Sequence, residues 1–68
     1  MPFRTVTDLD VQTLRTMTAA YDAVVARLNM KSDDPRTGPL AAKIVMLARA
    51  GERDVGKLIE QALIGLAR

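Results

Sequence analysis

Apolar residues recur at helical spacing in three stretches of the chain, separated by two connections rich in turn formers. In the first stretch Leu14, Met17, Tyr21, Val24 and Leu28 follow one another at steps of 3, 4, 3 and 4 residues. Val11, Thr18 and Val25 flank that line. At 100° per residue the apolar members occupy an arc of about 140°, the signature of an amphipathic helix. Arg15, Ala19, Asp22, Ala23 and Ala26 lie opposite or to one side. Thr7 with Asp10 three residues later approximates a capping box and places the helix start at Thr7 or Asp8. Asn29 tolerates left-handed backbone angles and suits the other end. The spacing thus predicts a helix over 8–29.

The segment 30–39 holds most of the turn formers, including Asp34-Pro35 and Gly38-Pro39. A second helix is expected over 39–50, with Pro39 in the first turn, where a missing N–H costs nothing. Leu40, Ala41, Ile44, Val45, Leu47 and Ala48 form its buried side, and Gly51 is placed to end it. Asp54 is a good N-cap for a third helix over 54–67. Val55, Leu58, Ile59, Ala62, Leu63 and Leu66 make its stripe, and Lys57, Glu60, Gln61 and Arg68 its polar face. Gly56 and Gly65 each weaken that helix by about 1 kcal/mol relative to Ala, so it must lean on packing.

Together these elements predict an all-α fold, a small three-helix bundle forming one helical domain over residues 1–68. The first helix is long and the last two make a tight hairpin, because the Gly51-Glu52-Arg53 turn is short. Leu14, Met17, Tyr21, Val24, Leu28, Ile44, Leu47, Leu58, Ile59, Leu63 and Leu66 are expected to be largely buried in the assembled state.

Composition changes this picture in one respect. The chain has no His, Cys or Trp, one Tyr and one Phe in 68 residues. Disulfides and thiolate metal sites are ruled out, and the commonest imidazole ligand is missing. So small a core keeps only about 3–5 kcal/mol without such a staple. Oligomerisation is the remaining way to enlarge it. Leu9, Met46 and Ile64 fall outside the three stripes. A symmetric dimer is therefore expected, with helix 1 central. Leu9, Tyr21, Val24, Met46 and Ile64 are the candidate interface residues.

The run Ala50-Gly51-Glu52-Arg53-Asp54, followed by Leu58 and Ala62-Leu63, resembles the C-terminal half of short uncharacterised helical proteins of alphaproteobacteria. Those often carry Pro where this chain has Val55. The resemblance implies a bacterial, cytoplasmic protein and supplies no activity or functional residues.

Candidate chemistry is sparse. Asp33-Asp34 precede Pro35 in a loop, which reads as turn chemistry and not as a paired acid site. Ser32 is the only serine and has no His to activate it. The four glycines are isolated, so no phosphate cradle is formed. No catalytic, cofactor-binding or metal-ligating residues are assigned, and no cofactor is expected. The net charge of +2 is dispersed, unlike the dense stripe of a nucleic-acid footprint. The N-terminal residues do not read as a signal peptide. No apolar run approaches the ~20 residues of a membrane span.

The function expected on these grounds is a non-catalytic, homodimeric interaction or regulatory module that docks on another protein in the cytoplasm. The alternative is a small DNA-associated regulator using the helix 2–turn–helix 3 unit. Arg53, Lys57, Gln61 and Arg68 would then be the contacts.

Overall fold

The computed structural model describes Phe3 and residues 6–66. They contain three helices, α1 (Val11–Arg27), α2 (Thr37–Arg49) and α3 (Val55–Leu66), and no strand. Each helix packs against the other two. The expected bundle is therefore present within one chain.

Helix α1 starts later than the capping-box reading predicts. Asp10, not Thr7, is the N-cap. Its backbone is extended, and its side chain accepts from the Thr13 N–H at 3.1 Å. That hydrogen bonding also lowers the Asp10 pKa. Asp8 is drawn elsewhere, to Arg49 on α2: the guanidinium donates from Nε at 2.9 Å and from Nη2 at 3.0 Å. That partner stands 41 positions away, and the helix takes its cap from Asp10 instead.

At the other end the local reading holds. Asn29 adopts φ 51°. Its N–H donates to the Ala26 carbonyl at 3.3 Å, and the Met30 N–H to that of Val25 at 2.9 Å. This is a Schellman closure, in which carbonyls of the last turn are satisfied by the chain folding back. Met30 is consequently buried, although it stands in the segment expected to be loop.

Helix α2 begins two residues before Pro39 because Asp34 organises the approach. Its carboxylate accepts from the Arg36 N–H at 2.8 Å and from the Arg36 guanidinium at 2.7 Å. Its carbonyl accepts from the Thr37 N–H and hydroxyl. Asp34 is thus a turn residue, and hydrogen bonding to Arg36 pulls its pKa down to about 2. Helix α2 closes on Gly51 at φ 104° with a second Schellman pattern: Gly51 N–H to Ala48 and Glu52 N–H to Leu47, each at 3.0 Å. Asp54 caps α3, accepting from the Gly56 N–H at 2.8 Å.

The core differs from the expected stripes on α1. Its fully covered line is Thr13, Met17, Ala20 and Val24. Leu14, Tyr21 and Leu28 flank it and are half-buried. Small residues at 13 and 20 let the other helices approach closely, which rotates the covered line away from the bulkiest side chains. On α2 and α3 the centres are Leu40, Ile44, Ala48, Leu58 and Ala62. Leu47, Ile59, Leu63 and Leu66, all expected to be buried, are half-buried margins.

One core residue stands outside every predicted element. Phe3 is 1% exposed and meets Tyr21 edge to face, with ring centroids 5.8 Å apart. Val6 and Leu9 are half-buried against the same core. This N-terminal arm covers the α1 flank that the sequence reading leaves for a second chain.

Candidate interaction face

The short turn through Gly51 joins α2 to α3, and the side chain of Lys43, midway along α2, lies against Gly65, late in α3. A methyl group on Gly65 would sit 3.4 Å from Lys43 Cε and 3.5 Å from Cδ and Cγ. The lysine stem therefore rests on the bare glycine backbone. On the outward side of this hairpin is a groove of about 490 Å³. Pro39, Ala42, Lys43 and Met46 line it from α2, and Gln61, Ile64, Gly65 and Leu66 from α3.

Met46 is 54% and Ile64 43% exposed. They are the two large apolar side chains of this hairpin that its own core leaves uncovered, and the fold brings them to one groove. Their off-stripe positions were the sequence signal for this. Lys43 and Gly65 also shape the groove, and neither departs from the apolar pattern. Nothing in periodicity shows that a lysine stem will lie across a glycine.

The other candidate interface residues are placed differently. Val24 is fully buried within the single chain. It is a core residue and offers no surface to a partner, because α2 and α3 already cover that side of α1. Tyr21 is half-buried beneath Phe3, and Leu9 is half-buried against the core. Val11, 64% exposed at the first turn of α1, is a lone apolar residue, a common feature of protein surfaces.

Of the candidate nucleic-acid contacts, Arg53 is used within the chain. Its Nη1 donates to the Ala48 carbonyl at 2.6 Å and to that of Glu52 at 3.0 Å. A cation thus sits at the negative end of α2. Lys57 and Gln61 are exposed on α3 with Glu60 between them. Arg68 lies outside the described residues.

Two ion pairs are formed among the described residues, Arg36–Asp34 and Arg49–Asp8. Neither involves Lys43 or Glu60. No cluster of three or more potential metal-ligating side chains occurs among the described residues. No described helix is long and apolar enough to cross a membrane.

No protein-family model, curated protein or solved structure matches the chain.

Proposed function

We propose that this chain is a non-catalytic helical interaction module that forms a homodimer and docks through the outer face of the α2–α3 hairpin. The observation that carries this reading is the convergence of exposed Met46 and Ile64 on one groove. Burying such side chains is the main favourable term available to an interface of this kind. Polar or charged groups at Lys43 and Gln61 would set orientation. The dimer differs from a helix-1-centred one, since the α1 flank is sealed by the Phe3 arm. The absence of cysteine suits a cytoplasmic setting. A DNA-associated role has weaker support, since Arg53 is held at the α2 terminus and Glu60 interrupts the basic face.

The test is sedimentation equilibrium at micromolar concentration on the natural chain, Ile64→Glu and Val24→Glu. The expected result is a dimer for the natural chain and a folded monomer for Ile64→Glu. Val24→Glu should unfold, because it buries an unpaired charge. A natural chain that stays monomeric overturns the reading. DNA binding that weakens steeply with salt would favour the alternative.

A further inference from the structure

We infer that Gly65 is the residue that decides what the α2–α3 groove admits: its missing side chain lets an apolar side chain of the partner seat against the α3 backbone. This rests on the interaction face proposed above and names a specificity-determining residue within it.

The chain has four glycines, and its own fold explains three of them. Gly51 stands at φ 104°. Gly38 is helical directly before Pro39, where a Cβ would crowd the proline ring. At Gly56 a Cβ would stand 3.2 Å from Oδ1 of Asp54, the carboxylate oxygen that caps α3. Gly65 is different. It lies within α3 and has no positive φ, so it is not a left-handed cap. A Cβ there would find its nearest neighbours on the Lys43 stem, at 3.4 and 3.5 Å. That is ordinary van der Waals distance to a flexible side chain, so alanine fits the folded chain. Alanine would also favour the helix, because glycine gives up more backbone entropy on ordering. The chain thus carries a helix-weakening residue that its own packing does not require.

The position of Gly65 supplies the reason. It lines the groove together with Lys43 and the exposed Met46 and Ile64. A methyl group at 65 would project toward the Lys43 stem and take up groove space. Glycine serves where a backbone must be approached closely by another molecule. The neighbouring Met46 and Ile64 make the approaching group apolar, and the lysine stem supplies further apolar contact while its ammonium stays in water. Interface cores pack as densely as protein interiors. One added methyl in such a contact therefore acts against association while it favours the helix. These opposite signs distinguish a residue kept for the groove from one that is merely tolerated.

Gly65→Ala in the full chain tests this. Thermal unfolding, followed by circular dichroism at a concentration where the natural chain is monomeric, removes the contribution of dimerisation to Tm. The variant should keep its helix content and melt a few degrees higher. Sedimentation equilibrium in the micromolar range should show self-association weakened by about tenfold. If the natural chain dimerises and Gly65→Ala associates equally well or better, the role of Gly65 is overturned while the interaction face stands. If Gly65→Ala melts lower or loses helix, the fold itself needs the glycine and the inference is likewise overturned. If the natural chain is monomeric throughout the micromolar range, both the face and the role of Gly65 in it fall.

Discussion

The N-terminal arm and the α2–α3 hairpin are both attached to the core, but by different means. The hairpin is closed by hydrogen bonds to its main chain: the Gly51 and Glu52 N–H groups return to Ala48 and Leu47, the Asp54 side chain caps α3, and the Arg53 side chain reaches the Ala48 carbonyl. Among the described residues, the arm's own backbone hydrogen bond runs from the Val6 N–H to the Phe3 carbonyl at 3.0 Å. It is fastened to the helices by Phe3, its apolar neighbours and the Asp8–Arg49 pair. A region that supplies helices to the shared core is expected to melt with the fold. A region fastened by side chains can open on its own. The difference matters for function, because the hairpin offers a rigid face while the arm seals another.

Substitutions in the shared core should erase this contrast. Leu58 is fully buried where α3 meets the rest of the bundle. Leu58→Ala should cost about 2–5 kcal/mol, comparable to the whole stability of so small a domain. Thermal unfolding followed by circular dichroism should lose its cooperative transition. Leu47→Ala and Leu63→Ala, at half-buried positions, should cost less, about 1–2 kcal/mol. Equal losses at all three positions would mean that the margins are as well covered as the centre.

Phe3→Ala sharpens the comparison. A buried Phe typically contributes about 3–5 kcal/mol against Ala. Here the loss is capped by the free energy of docking the arm, so about 1–3 kcal/mol is expected. Amide exchange should accelerate near Val6 and Leu9 with the α2–α3 hairpin still protected. Acceleration of both regions together would show that the arm and the helices form one cooperative unit.

Gly51→Ala tests the hairpin closure from the other side. At φ 104° a Cβ is strained whatever the space around it, and about 1–2 kcal/mol is expected. The arm should still dock, which Tyr21 can report as the only tyrosine in a chain without tryptophan.

Asn29, Gly51 and Asp54 were legible in the sequence because each answers a local need: a left-handed cap or an orphan N–H at a helix end. What was not legible depends on distant partners. Thr7-Asp10 resembles a capping box, yet Arg49 claims Asp8 and the helix begins at Val11. Phe3 belongs to no periodic window, so only the folded chain shows what it covers. Thr13 and Ala20 sit on the buried line because they are small, a property that hydrophobic periodicity does not weigh. The candidate face was half legible. Met46 and Ile64 stood out by position, whereas Val24 was drawn into the chain's own core.

The smallest expected effect is that of acid on the arm. Hydrogen bonding to Arg49 holds the Asp8 carboxyl below its ordinary 3.8. A depressed carboxyl stabilises the fold above its ordinary value and loses that contribution as pH falls through the lowered one. Asp34, at about 2, follows the same sign at the start of α2. Both Asp8 and Arg49 are about half exposed, so screening keeps the effect small. Tyr21 fluorescence should shift modestly on acidification below the ordinary carboxylate range. Asp8→Asn should remove the part of that shift due to the arm. An identical titration in Asp8→Asn would show that the ion pair does not fasten it.

The most direct measurement of the interaction face is a dilution series of amide NMR spectra on the natural chain across the micromolar range. Concentration-dependent shifts are expected at Ala42, Lys43, Met46, Glu60, Gln61 and Ile64. Val6, Leu9, Tyr21 and the rest of α1 should stay unchanged. Shifts centred on α1 and the arm, or none at any concentration, would contradict the assignment of the α2–α3 hairpin as the surface through which this chain associates.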